Sequence, residues 1–205
     1  MAGAADLSCA VQVGGESRRL GRDKAMLMVR GQTLTERVVT ALRGVSDDVM
    51  VVGNRLDRFA RLPCRPIEDE VAHGGALGGI YTSLLHARHH YVFVAGCDMP
   101  LLNPRLVLLL RSLAPGYDVV MPYLRQMPEP LHAVYGKAAL TAIRRLVDKG
   151  NARIIDFLAE VRVRTVAEDE LRTADPELQS FFNHNDERDL ADLEQLLERR
   201  SDTSA

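Results

Sequence analysis

The 205-residue sequence contains no tryptophan, and aromatic residues make up only 5% of it. A surface that stacks the successive bases of a single strand would have few residues to be built from. There is no polybasic arm either: 26 Lys or Arg stand against 28 Asp or Glu, a formal net charge of −2, which excludes a broad nucleic-acid surface. The only cysteines are Cys9, Cys64 and Cys97. An odd number at wide spacings excludes a disulfide framework and a structural zinc site, and points to reduced, mostly buried thiols. The opening stretch MAGAADLSCAVQV lacks a charged n-region, and its apolar run is too short for a signal peptide or a membrane span. The expectation is a cytoplasmic protein with no membrane and no nucleic-acid partner.

What the sequence does hold is core-forming material: 46% hydrophobic and 26% charged residues, enough for a sizeable core in one domain of this length, ordered from about residue 8 to 198. Its charge is divided. Residues 1 to 159 carry 20 basic and 15 acidic side chains, whereas residues 160 to 205 carry 6 and 13.

Short apolar runs alternate with helical patterns along the chain. Cys9 to Val13 reads as a strand and leads into a Gly-rich, basic stretch, Gly14 to Lys24. Thr33 and Glu36 form a capping box, after which Leu34, Val38 and Leu42 recur at helical spacing as far as Gly44. Val49 to Val52 reads as a doubly buried strand with Asn54 beyond its carboxyl end. A Gly-rich turn, Gly74 to Gly79, is predicted to feed a helix from Ile80 to Ala87, followed by a strand at Tyr91 to Ala95 and then Cys97-Asp98-Met99-Pro100. Asn103 and Pro104 open a helix through Leu113. Tyr117 to Met121 reads as a strand, Pro122 to Pro130 as an irregular excursion, Leu131 to Tyr135 as a strand and Ala138 to Val147 as a helix. Asn151 is placed as the cap of a helix through Leu158. A strand at Val161 to Val166, a solvated acidic connection from Glu168 to Glu177 and a final helix carrying Leu190, Leu193 and Leu197 complete the pattern.

Strands separated by helices imply right-handed βαβ units, and hence a three-layer α/β/α sandwich on a mainly parallel sheet. Such sheets bind ligands at their carboxyl edge. The Gly14 to Lys24 loop, Asn54, Asp69 and Asp98 each follow a predicted strand, so the fold gathers them on that edge. In the loop, Gly14 and Gly15 allow a sharp turn that exposes N–H groups, while Arg18, Arg19, Arg22 and Lys24 supply positive charge. A polyphosphate suits it, although neither a Walker A loop nor a G-x-G-x-x-G is present. A carboxylate at the buried exit where Asp98 sits requires a partner or a metal, and magnesium is the matching hard cation. Asp69 is a second candidate oxygen donor or a ribose contact.

The stretch GGESRRLGRDKAML, with the pattern G-G-x-S-x-R-x-G-x-D-K, resembles the signature loop of the molybdenum cofactor guanylyltransferases, a MobA-like nucleotidyltransferase family. Pro66-Ile67-Glu68-Asp69, His73 to Ile80, Cys97-Asp98-Met99-Pro100, Glu129 to Tyr135 and Asn183-His184-Asn185 resemble its later segments in order. The resemblance implies a single nucleotidyltransferase domain with a Rossmann-like sheet of the nucleotide-diphospho-sugar transferase type. It implies transfer of GMP from GTP to the terminal phosphate of a molybdopterin-type cofactor, with Mg²⁺ as cofactor, pyrophosphate as product, and a molybdenum insertion protein or acceptor molybdoenzyme as further partner. By the same resemblance Gln12, Val13, Gly14 and Gly15 contact the nucleotide, the first three through the backbone. Arg19 and Lys24 hold the triphosphate, Asn54 and Asp69 lie on the base and ribose side, Asp98 binds Mg²⁺, and Asn183 and Asn185 face the pterin. Arg19, Lys24 and Asp98 form the expected catalytic set. Departures are Gln12-Val13 where the family has Leu-Ala, Leu20 for Met, and Ala76 for the Pro of G-P-L-x-G.

Two alternatives stay open: a cytidylyltransferase acting on the same cofactor, and a non-catalytic nucleotide-binding adaptor that delivers it. His86, His89 and His90 have spacing that could hold a metal, or could serve a helix end. His132 reads either as a residue near substrate or as a satisfied core histidine.

Overall fold

The computed structural model describes residues 6–14, 23–182 and 193–198. In chain order the elements are β1 (Ser8–Val13), the small hairpin of β2 (Met28–Val29) and β3 (Gln32–Thr33), α1 (Leu34–Arg43), β4 (Asp48–Gly53), β5 (Arg65–Glu68), α2 (Gly75–His86) and β6 (Tyr91–Gly96). There follow α3 (Pro104–Ser112), β7 (Val119–Leu124), β8 (Met127–Pro128), β9 (His132–Gly136), α4 (Leu140–Asp148), α5 (Ile154–Leu158), β10 (Val163–Val166) and α6 (Glu168–Leu171). The main sheet has the order β10-β7-β9-β6-β1-β4-β5, with β8 paired to β7. The pairs β1–β4, β1–β6, β4–β5 and β7–β10 are parallel. β9 runs antiparallel between β6 and β7.

Period-two alternation divides the core into two faces. On β1, Cys9, Val11 and Val13 face one side with Val38, Val39 and Leu42 of α1 and Leu106, Val107 and Leu110 of α3. Ala10 faces the other, with Leu77, Ile80 and Leu84 of α2 and Ile143 and Leu146 of α4. Each fully buried Val, Leu or Ile among them contributes roughly 1.5–3 kcal/mol. The two faces with the sheet between them are the three expected layers. A smaller cluster joins Val29, Leu34 and Leu101 to Leu193 of the helical residues 193–198; Leu190 lies outside the described residues.

Helix α1 starts where its capping box dictates. Thr33 accepts from the Glu36 N–H at 3.1 Å, and Glu36 Oε2 accepts from the Thr33 N–H at 3.4 Å. Asn103 caps α3 with its side chain alone, accepting from the Arg105 N–H at 3.0 Å ahead of Pro104. At the amino edge of the sheet, Asp48 is buried but accepts from Ser8 Oγ at 2.6 Å, the Arg88 N–H at 3.0 Å and Arg65 Nε at 2.9 Å. Burial alone would raise its pKa; the hydrogen bonds outweigh burial and hold it low.

Four local readings are corrected. The glycines from Gly75 to Gly79 lie inside α2, which begins five residues before Ile80. Pro122 lies within β7, where the Glu129 N–H donates to its carbonyl, so the proline-rich excursion is largely a hairpin. Asn151 accepts from the Arg153 N–H at 3.0 Å without capping α5, which is only five residues long. The acidic connection is not wholly solvated: Asp175 is buried and accepts from the Ser180 N–H at 2.8 Å.

Candidate functional site

Because β1, β4, β5 and β6 run parallel, the residues that follow them meet at one edge. The chain also switches direction there. From β1 it crosses to β4 by α1 on one face, whereas α2 takes it from β5 back to β6 on the other, leaving a crevice at the carboxyl end of β1. A cavity of about 640 Å³ fills that crevice, and Gln12, Val13, Gly14, Asn54 and Asp69 line it. That volume suits a nucleotide. Five of the expected nucleotide-contacting residues therefore share one cavity. Gly15, Arg18, Arg19, Arg22, Asn183 and Asn185 lie outside the described residues.

The cavity's polarity is unbalanced. Asn54 Nδ2 donates to Asp69 Oδ2 at 3.3 Å, and the Asp69 N–H donates to the Gly53 carbonyl. Asp69 Oδ1 is buried and receives no hydrogen bond from the described residues. Desolvation accordingly raises the Asp69 pKa. A buried carboxylate oxygen without a donor is a cost that a ligand hydroxyl or N–H would relieve. The first turn of α2 also borders the cavity at Gly75 and Ala76, and no side chain caps its amino end. Its N–H groups add positive potential there. His73 lines the same wall with φ +59°, a left-handed conformation uncommon for a residue with a side chain.

Asp98 stands next to this cavity. Leu131, which lines it, accepts the Gly96 N–H at 3.0 Å, and Asp98 Oδ1 lies over Gly96. A Cβ built on Gly96 would be 2.6 Å from that oxygen and 3.8 Å from Leu131 Cβ, so a side chain at position 96 is incompatible with this placement of the carboxylate. Glu129 is half-buried close by. Burial first, and then the charge of Asp98, raises its pKa. Two carboxylates and no thiolate or imidazole make a hard, oxygen-only donor set. Among the described residues no group of three or more His, Cys, Asp or Glu could hold a metal. That composition fits magnesium, which takes one or two carboxylates and leaves its remaining positions to phosphate and water.

Positive charge reaches the same place. The thiol of Cys97 is pushed up to about 12 by burial and then by Asp98, while the charges of Lys24 and Arg58 pull against that rise. Lys24 and Arg58 thus lie within electrostatic reach of the Asp98 loop. Asp23 caps the turn that holds Lys24, accepting from the Ala25 N–H at 3.2 Å, and pairs with Arg58. Arg58 lies in no motif read from the sequence, and Glu129 enters only as the first residue of the Glu129 to Tyr135 segment, without a site role, because neither lies directly after a predicted strand. The only sequence signal for Arg58 is its proximity to Asn54.

The histidines fall elsewhere. His86 Nε2 lies 2.7 Å from Glu70 and His89 Nε2 lies 2.7 Å from Asp47, so the two rings are taken up by separate carboxylates. His132 is a core residue, packed edge-on to Phe93 and tilted on Phe181, with Nδ1 3.3 Å from Met99 Sδ.

A family model for the MobA-like NTP transferase domain matches residues 9–164. Fold, cavity and family model together define an α/β nucleotidyltransferase. A probable molybdenum cofactor guanylyltransferase of Pelotomaculum thermopropionicum is 38% identical over 181 residues, spanning 88% of each chain. The molybdenum cofactor guanylyltransferase of Desulfosudis oleivorans is 34% identical over 90% of this chain and 92% of its own. Molybdopterin-guanine dinucleotide biosynthesis protein A from Archaeoglobus fulgidus, a solved structure, superposes with a TM-score of 0.80 at 28% identity, covering 94% of this chain and 99% of that one. The chain belongs to the MobA-like NTP transferase family, in its molybdenum cofactor guanylyltransferase branch.

Proposed function

We propose that this protein transfers GMP from GTP to the terminal phosphate of a molybdopterin-type cofactor and releases pyrophosphate. One observation carries the reading: the cavity that gathers Gln12, Val13, Gly14, Asn54 and Asp69 abuts, through Leu131, the carboxylate of Asp98. A nucleoside in the cavity would direct its phosphates toward Asp98 and Lys24. The names of the relatives support the choice of guanine and of the acceptor.

Both reactants are anionic, so the barrier is one of charge and alignment. Lys24, with Arg19 from the signature loop, would hold the triphosphate against the acceptor phosphate. Asn54 and Asp69 would fix the nucleoside, the open Asp69 Oδ1 accepting a hydroxyl or N–H. Asp98, flanked by Glu129, would hold Mg²⁺, which when bound supplies neutralisation of the phosphate charge that builds during displacement. Asn183 and Asn185 would face the pterin. The whole chain acts as one nucleotidyltransferase domain in this reading. Among the described residues no helix is long and apolar enough to cross a membrane, and the unpaired thiols suit a reducing cytoplasm. A molybdenum insertion protein or an acceptor molybdoenzyme would receive the product.

Calorimetric titration of the full chain with GTP, CTP, ATP and UTP in the presence of Mg²⁺ tests the nucleotide assignment. Binding of GTP at least tenfold tighter than the others is expected. Tighter binding of CTP would favour the cytidylyltransferase alternative.

A further inference from the structure

Gln12 lies near the end of β1, on the strand face turned toward α2. Its Nε2 donates to the Ala76 carbonyl at 3.3 Å. A Cβ built on Gly79 would stand 2.7 Å from Gln12 Cδ and 2.8 Å from both Nε2 and Oε1. The amide therefore lies flat against the bare backbone of α2, clamped by one hydrogen bond. Because a carbonyl only accepts, the NH₂ end must face Ala76. Oε1 then faces the other way, and it accepts no hydrogen bond from the described residues. The family resemblance places Leu at this position, so any contact made by this amide belongs to this chain.

We propose that the Gln12 side chain reads the nucleotide base, with Oε1 accepting a hydrogen bond from the adjacent N1–H and 2-amino donors of guanine. The inference rests on the guanylyltransferase reading above and adds to it a side-chain contact where only backbone contact was expected. Guanine offers two neighbouring donors on that edge. Cytosine and adenine offer one amino group beside a ring nitrogen that only accepts, and this nitrogen would oppose Oε1. A site built around a fixed acceptor rejects a base that lacks the matching donor.

The test compares GTP, inosine triphosphate, which lacks the 2-amino group, and 1-methyl-GTP, which lacks N1–H. Each is titrated calorimetrically into the full chain, wild type and Gln12→Leu. Wild type should prefer GTP by about tenfold over at least one analogue, and Gln12→Leu should shrink that preference at least threefold with its melting temperature preserved. Gly79→Ala, which drives a methyl into the amide, should shrink it as well. If Gln12→Leu weakens all three nucleotides equally, the side chain merely props the first turn of α2 and the proposal fails. It also fails if both preferences are untouched. A wild type that does not bind GTP overturns the guanylyltransferase reading itself, which separates the two failures.

Discussion

Asp98 Oδ1 occupies the space that a side chain at Gly96 would need, 2.6 Å from where a Cβ would stand. Position 96 therefore controls where the Asp98 charge sits without carrying charge itself. Gly96→Ala should displace the carboxylate and lower Mg²⁺-dependent turnover by at least tenfold. Asp98→Asn should abolish turnover while moving the melting temperature by no more than a few degrees. Parallel measurement of Mn²⁺ binding should show both variants weakened. Collapse of folding in Asp98→Asn would instead mark that carboxylate as structural.

Glu129 adds a second negative charge beside Asp98, and burial with that charge raises its pKa. In Glu129→Gln the remaining carboxylate should bind divalent metal more weakly, by about tenfold in Mn²⁺ titration, with little change in fold stability. Metal affinity equal to wild type would remove Glu129 from the donor set.

Asp69 trades stability for binding. Its Oδ1 is buried and receives no hydrogen bond from the described residues, and desolvation raises its pKa. Asp69→Asn removes a charge disfavoured by burial, so thermal stability should hold or rise while GTP affinity falls about tenfold. A loss of stability without any loss of affinity would contradict this.

The residues around the cavity show where the sequence was legible. Gln12, Asn54, Asp69 and Asp98 each lie at or just beyond the end of a strand, and parallel strands bring their carboxyl ends together whatever the loops do. The helix starts were equally readable, because the capping box of Thr33 with Glu36 and the cap Asn103 followed by Pro104 each act within one turn. Contacts decided by tertiary packing were not. Nothing local shows that β9 inserts antiparallel between β6 and β7, which brings Glu129 beside Asp98. Nor does local pattern place the glycines after Gly74 inside a helix. Glycine is a poor helix former, and Gly79 in particular is explained only by the Gln12 amide that lies against it.

His132 is buried between Phe93 and Phe181, and its pKa is lowered from 6.5 to about 3, chiefly by desolvation, with Asp175 opposing the fall. The folded chain holds the ring neutral while the unfolded chain takes up a proton below pH 6.5. Stability from this group is complete above pH 6.5 and lost as pH falls toward 3, by about 1.4 kcal/mol per pH unit. Denaturant unfolding of His132→Phe should show a shallower acid slope than wild type between pH 6.5 and 4. Equal slopes would show that the ring does not titrate on unfolding.

Product formation is the decisive measurement for the guanylyltransferase assignment. Purified full-length protein is incubated with a molybdopterin-type cofactor, Mg²⁺ and either GTP or CTP, and released pyrophosphate and dinucleotide cofactor are quantified. Release with GTP that depends on both Mg²⁺ and the cofactor, with at most a tenth as much from CTP, is the expected result. No release from GTP, or equal release from CTP, would contradict the assignment.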